Sequence, residues 1–249
     1  MNTAIVIPAR MGSSRFPGKP LVKIHNKELL FWVIENCRNV GCAIYIATPD
    51  KEIIDAVCKN YVYGVKCITT SKEHTTGNEA VAEAATHIEC DTIVNVQGDE
   101  PLVKVKWIQQ VIHAKNFLWP RYEIINAMIR FDNDAEFISE NTIKVVCNKN
   151  NELLYMSRCP IPYHKRQSNT YHLYKQVCIY AFNTAALIHL FNKPKSIIEY
   201  VEDICMLRPL YYGVNVKMIE LEDVGNNHAV DVPADIPIVE SIMIERKMV

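Results

Sequence analysis

The sequence predicts an α/β protein built on a mixed, mostly parallel β-sheet. Short apolar runs alternate with stretches in which apolar residues recur every three or four positions, which is typical of strands buried between helices. The chain has 249 residues and 49% of them are hydrophobic, enough for one domain with a substantial core. In the middle of the chain strand-like runs follow one another, which predicts a β-rich insertion in the sheet or an extension of it.

The first hundred residues carry the regular alternation. Because right-handed crossovers bring the carboxyl ends of parallel strands to one edge of a sheet, we expect the loops that follow these strands to form the ligand site. The predicted strands are residues 3–8, 43–48, 65–69 and 92–96, and the predicted helices are residues 27–38, 50–60 and 78–88.

The rest of the chain has a different order of elements. We expect one domain over 1–249, in which residues from about 120 to 190 form a β-rich subregion for acceptor binding and dimer contacts. The predicted strands here are residues 123–130, 143–149 and 152–156, with no helix between them, and residues 172–183; a helix near 197–208, a strand at 214–219 and a helix at 233–246 follow.

Charge, apolar runs and cysteines restrict the partners and the compartment. The net charge is −1, which argues against nucleic acid as a partner, and no apolar run is long enough to insert in a membrane. Met1 leads directly into the first strand, so we expect no signal peptide. The nine cysteines contain no C-x-x-C pair and lie mostly in apolar segments, which predicts reduced thiols in a cytoplasmic protein.

A basic loop follows the first predicted strand. It carries Arg10, Arg15 and Lys19, which can neutralise a polyphosphate while backbone N–H groups cradle it. The loop is not a Walker motif, because Pro20 follows Lys19 and no hydroxyl residue stands there to hold Mg²⁺. Its glycines also do not fit the dinucleotide fingerprint. The loop therefore predicts nucleotide binding of another kind.

Two acidic loops are predicted to face the basic loop. Asp99 and Glu100 follow the strand at 92–96, and Asp231 precedes the last helix, with Pro233 expected to open that helix and Asp235 expected to be structural. A carboxylate at such a loop can hold Mg²⁺ against nucleotide phosphates. One basic and two acidic loops together favour nucleotidyl transfer, in which positioning and charge neutralisation do most of the catalysis.

Several motifs resemble those of the CMP-Kdo synthetases, the 3-deoxy-manno-octulosonate cytidylyltransferases, in the family's order along nearly the whole chain. The matching segments are Ile7-Pro8-Ala9-Arg10 with Ser13 to Leu21, Asn95-Val96-Gln97-Gly98-Asp99-Glu100-Pro101-Leu102, Ser157-Arg158-Cys159-Pro160-Ile161-Pro162, Ile179-Tyr180-Ala181-Phe182 and Val230-Asp231-Val232-Pro233-Ala234-Asp235. The resemblance implies a Rossmann-like three-layer nucleotidyltransferase fold and a Mg²⁺-dependent enzyme, usually a homodimer. Such enzymes join CMP from CTP to a 2-keto-3-deoxy sugar acid for lipopolysaccharide biosynthesis.

The resemblance also implies roles for individual residues. Arg10, Lys19 and Asp99 are expected to be catalytic, and Asp99 and Asp231 are expected to bind Mg²⁺. The expected nucleotide-binding residues are Pro8, Ala9, Arg10, Ser14, Arg15, Lys19 and Gln97, and the expected acceptor-binding residues are Asn78, Gln97, Arg158, Gln176 and Tyr180. Arg158 is the expected partner of an acceptor carboxylate, since a guanidinium matches it with two hydrogen bonds.

Departures from the family pattern lie on the acceptor side. The family's H-x-S-G-T-D/E-R reads His74-Thr75-Thr76-Gly77-Asn78-Glu79-Ala80 here, its R-H-x-G-I-Y carries Gln176 and Cys178, and its Glu-Gln pair is Cys205-Met206. A pocket built to hydrogen-bond sugar hydroxyls loses discrimination when those groups are absent. The alternatives are the same chemistry on another acid, such as a phosphonate, and a non-catalytic nucleotide-binding homologue. A glycosyltransferase is a third, which the weak metal motif at Asp99-Glu100 disfavours.

Overall fold

The structure, a computed structural model, describes residues 1–13, 15–61, 63–131, 134–163, 173–222 and 227–249. The strands of the described chain are β1 (Thr3–Pro8), β2 (Lys23–Ile24), β3 (Lys27–Glu28), β4 (Ala43–Thr48), β5 (Val65–Thr69), β6 (Thr92–Val96), β7 (Ile124–Arg130), β8 (Lys144–Cys147), β9 (Leu153–Ser157), β10 (Tyr174–Asn183) and β11 (Val216–Glu220). The α-helices are α1 (Leu29–Arg38), α2 (Lys51–Asn60), α3 (Gly77–Ala85), α4 (Val105–Leu118), α5 (Asp134–Ile138), α6 (Thr184–Phe191), α7 (Ile197–Glu202), α8 (Leu207–Tyr211) and α9 (Asp235–Glu245).

One mixed sheet organises the molecule. Seven strands follow the order β11-β7-β10-β6-β1-β4-β5, and β8 with β9 extends the sheet from β10. The pairs β1–β4, β1–β6, β4–β5 and β7–β11 are parallel, whereas β10 runs antiparallel to both β6 and β7. The mostly parallel sheet is therefore confirmed, and the β8–β9 hairpin is its antiparallel extension.

Helices cover both faces of this sheet, which confirms three layers. Successive residues of β1 point to opposite faces, so Ile5 and Ile7 pack with one apolar cluster and Ala4 and Val6 with the other. The first cluster takes residues from α1 and α4, such as Trp107, and the second takes residues from α3, α6 and α8. Complete burial of one such aliphatic side chain contributes about 1.5–3 kcal/mol to the stability.

The predicted strands agree with the observed ones to within a few residues, but several helices differ. A short helix, α5, separates β7 from β8, contrary to the prediction, because it buries no residue and leaves no core periodicity in the sequence. The helix predicted near 197–208 is two helices, since Asp203 adopts a left-handed conformation with φ of 51°. The last helix begins at Asp235, two residues after Pro233. The sequence reading also omitted α4 and α6.

Two glycines fix the loops at the carboxyl edge of the sheet. A Cβ at position 98 would lie 2.7 Å from the carbonyl oxygen of Pro8, so only glycine allows the loops after β1 and β6 to touch. Gly18 has φ of 75°, and its N–H donates to the carbonyl of Met11, which closes the basic loop on itself. These two contacts bring the ends of β1 and β6 together with Lys19.

Candidate active site

A cavity of about 570 Å³ opens at the carboxyl ends of β1, β4, β5 and β6. The loops after these four parallel strands line it, as the topology requires. Of the side chains predicted from the sequence, those that line the cavity are Pro8, Ala9, Arg10, Arg15, Lys19, Gln97, Asp99, Arg158 and Asp231. The structure thus gathers residues that are more than 200 positions apart into one site.

The amides of the basic loop mostly serve the fold of the loop itself. The N–H groups of Ser13 and Gly18 both donate to the carbonyl of Met11, and the Met11 N–H donates to Asp50 at 2.6 Å. These three amides are thus engaged within the fold, and the cradle of backbone N–H groups stays a prediction for the other amides of the loop. Positive charge in the cavity therefore comes from the side chains of the loop.

Two cations of the basic loop, Lys19 and Arg15, pair with the two aspartates that were predicted to bind metal. Lys19 Nζ lies 2.6 Å from Asp99 Oδ2 and 3.9 Å from Asp231 Oδ1. Arg15 Nη2 lies 2.8 Å from Asp231 Oδ1. Lys19 is the more enclosed cation, with 13% of its side chain exposed against 56% for Arg15. Two carboxylates therefore share one ammonium group at the floor of the cavity.

A supporting layer holds the two acidic loops together. The N–H of Val230 donates to the carbonyl of Asp99, and Asn227 Nδ2 donates to Glu100 at 3.1 Å. The carboxylate of Asp235 accepts the N–H groups of Asp231 and Val232, which confirms its structural role. Burial, reinforced by the charges of Asp99 and Asp231, raises the pKa of Glu100 to about 7.

The loop between β5 and α3 forms another wall of the cavity, and the sequence reading largely missed it. It contributes Thr70, Ser71, Lys72, His74 and Thr76 to the lining. The sequence does contain a signal for this wall, because the loop follows the third parallel strand in the same way that the basic loop follows the first. It adds one more cation, Lys72, to the cavity.

Hydrogen bonds to two helical carboxylates hold this wall in place. Glu83 accepts the N–H of Ser71 at 2.8 Å and lies 2.5 Å from His74 Nε2. Glu79 accepts the N–H and hydroxyl of Thr75 and the N–H of Thr76. Arg10 Nη1 donates to the carbonyl of His74, so the wall also contacts the basic loop.

The buried guanidinium of Arg208 binds Glu79. Arg208 donates to Glu79 at 2.6 Å and to both carboxylate oxygens of Glu199 at 2.7 Å, and it is 1% exposed. Burial alone raises the pKa of Glu79, but hydrogen bonds from Arg208 and Thr75 outweigh it and lower the pKa to about 2. The wall of the cavity therefore depends on an ion cluster in the core.

Asn78 does not line the cavity, contrary to its predicted role in acceptor binding. It is completely buried, and its Nδ2 donates to Cys205 Sγ at 2.9 Å. Its Oδ1 accepts from Asn95 Nδ2 at 2.5 Å, and Asn95 Oδ1 accepts from Gln97 Nε2 at 3.2 Å. Asn78 is therefore the inner end of a row of amides, and Gln97 is the member that reaches the cavity.

Gln176 and Tyr180 also lie outside the cavity lining, because they flank the irregular part of β10. The register of β10 against β7 shifts between Val177 and Tyr180, and Asn126 Nδ2 donates to the two carbonyls in this bulge. Gln176 Nε2 donates in turn to Asn126 Oδ1 at 2.8 Å. Tyr180 is 3% exposed, and burial raises its pKa well above the usual range.

Arg158 lines the cavity, but backbone carbonyls already accept hydrogen bonds from part of its guanidinium group. It donates to the carbonyls of Glu140, Glu202 and Asp203. Three of its five N–H donors are thus used among the described residues, and Nη2 also lies 3.7 Å from Asp203 Oδ2. Its own carbonyl accepts from the buried ammonium of Lys144 at 2.6 Å. Arg158 is therefore a rigid cationic wall and keeps limited capacity for a carboxylate.

Four further features of the chain are Ser14, the cysteines, groups of metal-ligating side chains and the apolar character of the helices. Ser14, predicted to bind nucleotide, lies outside the described residues. All nine cysteines are free thiols. In the described part of the chain, no three or more Cys, His, Asp or Glu side chains form a group that could hold a metal ion. Among the same residues, none of the helices has the length and apolar character needed to cross a bilayer.

Comparison with known proteins gives one consistent family. The sequence model of the cytidylyltransferases matches residues 4–244. A relative named 3-deoxy-manno-octulosonate cytidylyltransferase 2, from Hydrogenovibrio crunogenus, is 36% identical over 98% of each chain. A 3-deoxy-manno-octulosonate cytidylyltransferase from Thermodesulfovibrio yellowstonii is 33% identical over 98% of each chain. A solved CMP:2-keto-3-deoxy-manno-octonic acid synthetase complexed with CTP superimposes with a TM-score of 0.88 at 32% identity, over 99% of this chain and 100% of that one.

Proposed function

This chain belongs to the cytidylyltransferase family, and we propose that it transfers CMP from CTP to a 2-keto-3-deoxy sugar acid and releases pyrophosphate. The observation that carries the proposal is the meeting of Arg10, Arg15 and Lys19 with Asp99 and Asp231 in one cavity. The similar proteins, named as 3-deoxy-manno-octulosonate cytidylyltransferases and including a synthetase solved with CTP, support CTP as the donor and 3-deoxy-manno-octulosonate as the type of acceptor.

The chain's own residues provide binding and charge neutralisation. Arg10, Arg15 and Lys19 bind the triphosphate, because they are the cations of the loop after β1 and line the cavity. The acceptor hydroxyl oxygen forms a bond to the α-phosphorus and gives up its proton to water, while the bond from that phosphorus to the pyrophosphate oxygen breaks. The same cations neutralise the charge that develops on the leaving pyrophosphate. Preorganised charges of this kind typically contribute about 10²–10³-fold each to the rate.

The two aspartates fit a divalent cation. Asp99 and Asp231 offer carboxylate oxygens, the ligands that Mg²⁺ prefers, and both already face one positive charge, the Lys19 ammonium. We propose that they hold Mg²⁺, with phosphate oxygens and water completing the coordination. When bound, Mg²⁺ supplies charge neutralisation on the phosphoryl oxygens.

The acceptor is proposed to lie toward Gln97 and Arg158. One N–H of Gln97 Nε2 donates to Asn95, so its second N–H and its amide oxygen are the groups proposed to bond an acceptor hydroxyl. Two of the five N–H donors of Arg158 have no hydrogen-bond acceptor among the described residues, and we propose that they bind the acceptor carboxylate in competition with Asp203. These groups are fewer than the acceptor-binding set first expected, which favours a second candidate, the same transfer to a smaller acid such as a phosphonate.

We also propose a homodimer that works in the cytoplasm and supplies an activated sugar for lipopolysaccharide. Ile197, Tyr200 and Val201 form an apolar stripe on α7, and each is at least 64% exposed. Exposed apolar surface of this kind is typical of an interface. The nine free thiols agree with a reducing compartment. Sedimentation equilibrium tests the dimer: Tyr200→Lys should shift the protein to a monomer, and an unchanged mass would contradict this interface.

Pyrophosphate release tests the proposed function. Purified protein with Mg²⁺ and CTP is supplied with 3-deoxy-manno-octulosonate, with related sugar acids or with small phosphonates. Release with the sugar acids supports the first candidate, and release with phosphonates alone supports the second. If CTP binds and every acceptor in the panel fails, the protein is a nucleotide-binding homologue without this activity.

A further inference from the structure

We infer that Lys19 makes the site selective for a polyphosphate and a divalent cation bound together, and against the divalent cation alone. The inference rests on the proposed function, from which it takes both ligands. Its basis is the pairing at the floor of the cavity, where Lys19 occupies the carboxylates that a metal ion needs. Lys19 is thus a specificity-determining residue in addition to a phosphate-binding one.

The geometry makes Lys19 a direct competitor of a cation. Its Nζ is 2.6 Å from Asp99, in hydrogen-bond contact, and 3.9 Å from Asp231, whose nearer cation is Arg15 at 2.8 Å. The side chains of Lys19 and Asp99 are 13% and 28% exposed, which limits screening by water and salt. A divalent ion entering this floor alone would meet a positive charge already held at its ligands.

A polyphosphate changes this balance, because it offers Lys19 another anionic partner. When the Lys19 ammonium turns to phosphate oxygens, Asp99 loses its 2.6 Å partner. Asp99 and Asp231 then face a highly anionic ligand with less positive charge between them, which raises the affinity for a divalent cation. Because coupling free energies are reciprocal, the cation raises the affinity for the polyphosphate by the same factor.

The cavity contains a matched control for this inference. Lys72 lines the same cavity from the loop after β5. Among the described residues, Lys72 forms no ion pair with Asp99 or Asp231. Replacing Lys72 removes the same charge from the same cavity but leaves the paired floor intact. A difference between the two lysines therefore isolates the pairing from the general field of the cavity.

Binding of Mn²⁺ to the full chain, followed by the electron paramagnetic resonance signal of free Mn²⁺, tests the inference. Without nucleotide, Lys19→Met and Lys19→Gln should bind Mn²⁺ at least about fivefold more tightly than the parent protein, the lower end of typical couplings. Lys72→Met should stay within about twofold of the parent. Adding Asp99→Asn to Lys19→Met should remove the gain. Thermal melting confirms that each variant is folded.

The contrary results are distinct for the two proposals. If the parent protein and both Lys19 variants bind Mn²⁺ equally, Lys19 does not select against the lone cation and the inference is overturned, while the metal site stands. If Lys72→Met gives the same gain as Lys19→Met, the general field of the cavity explains the effect and the inference is also overturned. If Mn²⁺ binds none of the proteins, even with CTP added, the proposed metal site fails and the inference fails with it.

Discussion

The nucleotide and acceptor sides of the cavity use their polar groups in different ways. On the nucleotide side, Lys19, Arg15, Asp99 and Asp231 pair with one another across loops and remain accessible for exchange with ligands. On the proposed acceptor side, Asn78 and Gln176 are engaged in buried hydrogen-bond networks, and the ion cluster around Arg208 supports the adjoining wall. Substitutions on the nucleotide side should therefore change activity first, and those in the networks should change stability first.

The largest expected effect is on stability, from Arg208→Met. This change removes the buried cation between Glu79 and Glu199 and leaves both carboxylates uncompensated. Breaking such a buried pair typically costs about 3–5 kcal/mol. Urea denaturation should show this loss in the free energy of unfolding. A loss below about 1 kcal/mol, the scale of an exposed ion pair, would contradict the structural role of the network.

The next effect is on catalysis, from Asp99→Asn. We expect turnover to fall by about 10²–10³-fold or more, because the variant lacks a charged group at the proposed metal and Lys19 contact. Urea denaturation should find the free energy of unfolding within about 1 kcal/mol of the parent value. Asp203→Asn is the matched control, since Asp203 also lines the cavity and asparagine tolerates its left-handed conformation. Equal losses of turnover in the two variants would contradict a special role for Asp99.

The third effect is a pH dependence of stability that arises from Glu79. The pKa of Glu79 is about 2 in the folded protein and near 4.5 in the unfolded chain. Its contribution to the free energy of unfolding is therefore complete above pH 4.5 and disappears as the pH falls toward 2. The full contribution is up to about 3 kcal/mol. Urea denaturation between pH 7 and pH 3 should show a smaller pH dependence for Glu79→Gln than for the parent. Identical curves would contradict the assignment.

The smallest expected effect on stability comes from Arg15→Gln. Its pair with Asp231 is largely exposed, so the free energy of unfolding should change by less than about 1 kcal/mol. The KM for CTP should nevertheless rise about tenfold, since one charge-assisted phosphate contact is lost. Steady-state kinetics at several salt concentrations measure this change. A larger loss of stability than of CTP affinity would contradict the distinction between the nucleotide and acceptor sides of the cavity.

The same contrast explains how much could be predicted from the sequence. The nucleotide side is built from short contiguous motifs after parallel strands, so Arg10, Lys19 and Asp99 could be assigned to the cavity from their positions alone. The loop with Lys72 follows the same rule and could have been found by it. The fold class was predictable for a similar reason, because period and length distinguish buried strands from helices.

The acceptor side was less predictable because tertiary contacts decide which amide faces the cavity. The family resemblance implies that Asn78 binds the acceptor, yet a row of side-chain hydrogen bonds holds it in the interior. Gln176 is held by a bulge that depends on Asn126, about 50 residues away. The ion cluster of Glu79, Arg208 and Glu199 likewise joins three segments that no local pattern connects.

Phosphorus-31 NMR of the complete reaction tests the central claim most directly. Protein, Mg²⁺, CTP and 3-deoxy-manno-octulosonate are incubated, and the phosphorus signals are followed with time. The account predicts a new phosphodiester signal from CMP joined to the acid, together with an equal amount of pyrophosphate and no signal from CDP. Formation of CDP with inorganic phosphate, or consumption of CTP without a phosphodiester, would contradict attack of the acceptor on the α-phosphorus.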